Sequence, residues 1–143
     1  MVTADSAEAR VVIRGEDDIV LARQRAREVA RELGFGAVDQ SRIATAVSEL
    51  TRNVVRYATN GQGEARIRTV SHGGDGPAPG IEVIVTDDGP GIADLHAALR
   101  DGFTSGLGLG MGLPGTRRLM DEMEVSSAAG SGTTIVVRKW RRT

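Results

Sequence analysis

The chain has 143 residues, 40% of them hydrophobic, with 18 Lys+Arg against 19 Asp+Glu and a formal charge of −1. That length suits a single domain with its own core, and the near-neutral balance argues against a dedicated nucleic-acid binder, which is usually basic. With no cysteine there is neither a disulfide nor a thiolate metal site, and no apolar run or leader points to a membrane, so a soluble cytoplasmic protein is expected.

Residues 1–9 read as a frayed terminus, and Val11 to Ile13 as a short strand. Asp17 is placed to cap a helix that runs to Leu33 and stops at Gly34. Ile19, Ala22, Ala26, Val29, Ala30 and Leu33 recur along it at helical spacing. A second helix is expected from Asp39 or Ser41 to Tyr57, with Ile43, Val47, Leu50 and Val54 as its apolar stripe. Ala65 to Val70 alternates like a strand. Ser71 to Gly80, rich in Gly and Pro, reads as a flexible connection that holds His72. Ile81 to Val85 is a buried strand ending at an aspartate pair. A short helix over 93–100, with His96 on its surface, leads to a mobile glycine-rich loop over 101–112. A helix over 113–122 and a strand pair, 124–127 and 134–138, close the chain. Arg138 to Arg142 reads as a solubilising tail with Trp140 packed on the sheet. The expected fold is α+β, a two-layer sandwich with a mixed, mostly antiparallel sheet and helices on one face.

Four motifs stand out by their order. Glu49 and Asn53 are four apart on the second helix, so they lie one above the other at the edge of its buried face. A carboxylate there can take a proton from an attacking hydroxyl, and an amide oxygen is a hard ligand suited to Mg²⁺. Asp87 ends a strand before Gly89 and Gly91; its carboxylate can accept a hydrogen bond from an exocyclic amine, and the glycines let backbone approach a flat ring. Gly106, Gly108, Gly110 and Gly112 lead into a helix, where free backbone N–H groups can bind phosphate. The P-loop Lys-Ser/Thr and the dinucleotide β-α-β unit are both missing. Gly130-Ser-Gly-Thr133 joins the last two strands. Taken singly, these features also fit a solvated helix edge, a polar turn, a hinge and a hairpin. In series they describe a pocket for ATP.

These motifs resemble the N and G boxes of the GHKL ATP-binding superfamily, whose nucleotide pocket is the Bergerat fold. Segments such as Ile43 to Leu50, Asp101 to Phe103, Gly112 to Gly115, Arg118 to Glu122 and Lys139-Trp140 are similar to the small serine kinases and anti-sigma factors of bacterial partner switching, and most of all to the stressosome switch kinases. The resemblance implies Glu49 as general base and Asn53 as Mg²⁺ ligand. It places Asp87 on adenine, with Gly89 and Gly91 beside it and Thr133 in support, and Gly108, Gly110 and Gly112 over the phosphates. It implies ATP and Mg²⁺, a STAS-domain antagonist as phosphate acceptor, a PP2C-type phosphatase activated on release, and the N-terminal strand and first helix as partner surface. A sigma factor as partner is the alternative. A non-catalytic nucleotide-dependent binding switch is a third reading. Histidine kinases share the boxes, but neither His72 nor His96 sits in a phosphoacceptor helix pair.

Overall fold

A computed structural model describes residues 2–4, 9–57, 62–72, 78–88, 112–127 and 132–142. In chain order the elements are β1 (Val2–Ala4), β2 (Ala9–Ile13), α1 (Glu16–Glu32), α2 (Ala37–Tyr57), β3 (Gly63–His72), β4 (Ala78–Asp87), α3 (Gly112–Leu119), β5 (Glu122–Ser127) and β6 (Thr133–Trp140). The sheet runs β3-β4-β6-β5, and β1 and β2 share the free flank of β3. Every strand pairing among the described residues is antiparallel, in keeping with the mostly antiparallel sheet expected.

α1 begins two residues earlier than an Asp17 cap predicts, because the cap position is taken by the extended Gly15. The carboxylate that serves the helix start belongs to Asp18, whose Oδ2 accepts the backbone N–H of Arg14 at 2.8 Å and of Gly15 at 3.2 Å. At the other end Gly34 has φ +90, and the N–H groups of Gly34 and Phe35 return to the carbonyls of Arg31 and Ala30. That is the left-handed glycine stop the sequence predicts. α2 starts at Ala37, ahead of the predicted Asp39 or Ser41, since the Gly36 carbonyl already accepts the N–H of Gln40 at 2.9 Å.

Both long helices bury one stripe. From α1 these are Ile19, Ala22, Ala26 and Ala30; from α2 they are Ile43, Val47, Leu50 and Val54. The alanines keep α1 narrow where it packs on α2. Alternate strand residues Ala65, Ile67, Ile81, Val83, Val85, Ile135 and Val137 complete the same core. The helices therefore lie on one face of the sheet, an α+β two-layer arrangement.

Several local expectations change. Residues 2–4, expected to fray, form β1, because β3 extends past the end of β2 and offers Val70 to His72 as pairing partners. The predicted connection over 71–80 shrinks, since β3 reaches His72 and β4 starts at Ala78; His72 thus sits in a strand. α3 ends at Leu119, and Glu122 belongs to β5. The basic segment at the end is structural rather than a solubilising tail. Lys139 is 4% exposed and donates to the Leu119 carbonyl at 2.9 Å. Arg138 binds Glu82, and Trp140 covers Gly80, so its predicted packing on the sheet holds. The predicted helix over 93–100 with His96, and the loop over 101–111, lie outside the described residues.

Candidate functional site

α2 carries the first pair. Its apolar stripe points to the sheet, and Ser48 and Thr51 bond back to the carbonyls of Ala44 and Val47 at 2.9 and 2.7 Å, so their hydroxyls are satisfied within the helix. Glu49 and Asn53 fall beside that stripe and are half-buried. The Glu49 side chain is 14% exposed, and its Oε1 accepts a hydrogen bond from Arg52 Nη1 at 2.7 Å.

The sheet supplies the second pair. Asp87 is the last residue of β4 and sits in register with Gly63 of β3 on one side and Thr133 of β6 on the other. By strand alternation it follows Val83 and Val85 on the helix-facing side. Thr133 is 9% exposed, and its hydroxyl lies 2.9 Å from Ser127 Oγ, which also donates to the Gly132 carbonyl at 3.0 Å. Because the Ser127 proton goes to that carbonyl, Thr133 acts as donor toward Ser127 and keeps oxygen lone pairs for another partner.

Two glycines bring the pairs together. A Cβ on Gly63 would stand 2.3 Å from the Thr86 carbonyl oxygen, 2.7 Å from Val54 Cγ1 and 3.3 Å from Asp87 Cα. There is no room for one, so α2 touches the sheet where β4 ends, and the neighbour of Asn53 rests beside Asp87. Gly132 has φ +77, and a Cβ there would stand 2.3 Å from the Asp87 carbonyl oxygen. The end of the glycine-containing hairpin is thereby laid directly on the Asp87 backbone.

Of the predicted residues, Glu49 and Asn53 lie on the C-terminal half of α2, whose Val54 packs at Gly63 beside Asp87, and Asp87 pairs with Thr133. Gly112 is the first residue of α3, which packs against α2. Gly89, Gly91, Gly108 and Gly110 lie outside the described residues. The sequence reading missed Gly63, Gly132, Ser127 and Arg52 as individuals. Gly132 and Arg52 lie inside motifs already singled out. Gly63 carries only the weak signal of a glycine opening a strand, and Ser127 carries none, since its partners lie across a hairpin. An open groove of about 400 Å³, lined by Ala37, Val38, Ser41, Arg42, Thr45 and Leu119, is separate from this cluster.

The donor chemistry fits a metal nucleotide. Asn53 offers one amide oxygen, and among the described residues no three His, Cys, Asp or Glu side chains converge. An amide oxygen is a hard donor of the kind Mg²⁺ takes alongside phosphate and water oxygens. No helix among the described residues is long and apolar enough to cross a membrane.

Comparison with known proteins agrees with this chemistry. The histidine kinase-like ATPase domain model matches residues 15–139. The chain is 52% identical over 132 residues to Serine/threonine-protein kinase RsbT of Bacillus subtilis (strain 168), spanning 92% of this chain and 96% of that protein. It is 36% identical over 101 residues to Anti-sigma F factor of Thermoanaerobacter sp. (strain X514), spanning 68% of each. In fold it is similar to the crystal structure of the RsbU and RsbW domains of a Mycobacterium tuberculosis protein. That match has a TM-score of 0.61 at 21% identity, covering 96% of this chain and 34% of that longer one.

Proposed function

The chain belongs to the histidine kinase-like ATPase domain family, and from that premise we propose that it is an ATP-dependent protein serine/threonine kinase of a partner-switching system. What supports the reading is that Val54, next to Asn53 on α2, packs at Gly63 beside Asp87, which pairs with Thr133, in a chain similar over 92% of its length to a named serine/threonine kinase. Asp87, supported by Thr133 and flanked by Gly89 and Gly91, takes the adenine amine. Gly108, Gly110 and Gly112 offer backbone N–H groups to the phosphates. Asn53 would hold Mg²⁺, which when bound would offset phosphate charge.

The acceptor is a serine or threonine on a STAS-domain antagonist. Its hydroxyl oxygen forms the new bond to the γ-phosphorus, the bond to ADP breaks, and the hydroxyl proton passes to the Glu49 carboxylate. Most of the acceleration comes from positioning and electrostatics rather than from covalent chemistry. Once released by its antagonist, the chain activates a PP2C-type phosphatase. The similarity to anti-sigma F factors favours a second reading, in which a sigma factor is the bound partner.

Transfer of labelled γ-phosphate from Mg-ATP to a STAS-domain protein tests the kinase reading, with wild type and Glu49→Ala side by side. Wild type should label the partner, and Glu49→Ala should lose about 10²–10⁴-fold in rate while still binding ATP. Capture of the partner and of ATP by wild type without any label would overturn the catalytic assignment and leave a binding switch.

A further inference from the structure

Two arginine–carboxylate pairs of the same i,i+3 spacing occur on α2, and they differ. Arg42 reaches Asp39 at 3.1 Å, with the two side chains 52% and 32% exposed. Arg52 reaches Glu49 at 2.7 Å, with the side chains 30% and 14% exposed. The first is the more solvated pair, of a kind that contributes little, and its Asp39 also faces Lys139 at 3.7 Å. The second withdraws a carboxylate from water and makes Arg52 its hydrogen-bond partner among the described residues.

The contact is one-sided, because Arg52 Nη1 engages Oε1. Around the helix axis, Arg52 lies about 60° from Glu49 on one side and Asn53 about 40° on the other, at ~100° per residue. Asn53 is on the side of the apolar stripe and of Asp87, and Arg52 is on the side away from it. The guanidinium thus grips Glu49 without crowding the amide that would face the nucleotide. A long carboxylate on a helix edge has several rotamers open to it, and a single strong anchor on one oxygen selects among them.

We propose that Arg52 is a positioning residue for phosphoryl transfer, holding Oε1 of Glu49 so that Oε2 is presented to the acceptor hydroxyl. This rests on the reading of Glu49 as the base. Misplacing a catalytic group by an ångström costs on the order of 10²-fold, so partial loss of aim should be visible in kcat.

The test is steady-state transfer from Mg-ATP to a STAS-domain protein that wild type phosphorylates, using the full chain as wild type, Arg52→Met, Arg52→Lys, Glu49→Ala and the Arg52→Met/Glu49→Ala double variant. Arg52→Met should lower kcat about 10- to 100-fold and leave KM for ATP near the wild-type value. Arg52→Lys, which keeps a cation, should recover a large part of the loss. The double variant should be no slower than Glu49→Ala, since an anchor without its base has nothing to aim. Arg52→Gln, checked by its melting curve, replaces Arg52→Met if that variant does not fold. A near-normal kcat for Arg52→Met alongside an inactive Glu49→Ala would overturn the proposal and leave the base assignment standing, as would equal losses in both backgrounds. Wild-type transfer by Glu49→Ala, or no STAS-domain protein labelled by wild type, would overturn the base reading and this proposal with it.

Discussion

Glu82→Gln should destabilise the fold strongly without touching the nucleotide cluster. Glu82 is 1% exposed although strand alternation puts it on the sheet face away from the helices. Its two oxygens accept from Arg68 Nε at 2.5 Å and Arg138 Nε at 2.7 Å. The register aligns Arg68 with Glu82, Glu82 with Arg138, and Arg138 with Glu122, so charge alternates in one row across β3, β4, β6 and β5. Burial disfavours the Arg138 cation, but the hydrogen bond and charge of Glu82 outweigh it and raise the Arg138 pKa above its ordinary value. Gln keeps the shape and removes the charge, which leaves two guanidinium groups about one neutral amide. Breaking a buried pair costs about 3–5 kcal/mol. Here Arg138 keeps Glu122 at 3.2 Å and Glu124 at 3.5 Å, and Arg68, 29% exposed, remains open to water. The lower end, about 3 kcal/mol, is therefore expected, or a fall in Tm of about 6–12 °C for a chain of this size. Thermal and urea unfolding followed by circular dichroism measure it. The triple change Arg68→Met, Glu82→Leu, Arg138→Met should recover most of the loss, because the desolvation cost leaves with the charges. A Tm for Glu82→Gln within about 2 °C of wild type would refute the claim that this row is held by charge.

Gly132→Ala should cost more than the about 1 kcal/mol of an ordinary left-handed alanine, since its Cβ would meet the Asp87 carbonyl oxygen; calorimetry should show ATP affinity falling at a temperature where the variant is fully folded. Asp18→Ala removes the acceptor of two backbone N–H groups at the start of α1 and should cost about 1 kcal/mol in urea unfolding, with phosphoryl transfer unchanged.

What could be seen in the sequence was whatever repeats at short range. The stripes Ile19/Ala22/Ala26/Ala30 and Ile43/Val47/Leu50/Val54, and the alternation of β3 over 65–70, follow from periodicity alone, and the stop at Gly34 follows from glycine's tolerance of the left-handed conformation. The start of α1 did not, because the choice between Asp17 and Asp18 depends on the extended backbone of Gly15 rather than on residue type. β1 was hidden for a different reason: three residues form a strand only because β3 is longer than β2. Arg138 and Lys139 looked like tail charges because their partners Glu82, Leu119, Asp39 and Asp121 are remote in sequence and adjacent only once the sheet is assembled.

The candidate site divides in the same way. Glu49, Asn53, Asp87 and Thr133 announce themselves through residue type and order, yet nothing in their spacing says that they meet. What the structure adds is two places where backbone or helix comes too close for a side chain. At Gly63 the missing Cβ lets Val54 reach the end of β4, and at Gly132 it lets the hairpin lie on Asp87. These glycines set how closely Val54 and the hairpin end approach Asp87. The same logic applies to Arg52. Its type and its place three residues after Glu49 are plain in the sequence, but only the 14% exposure of the Glu49 side chain separates an anchor from a solvated pair such as Arg42 and Asp39. Burial, more than motif, distinguishes which of the charged residues around this pocket can act on one another.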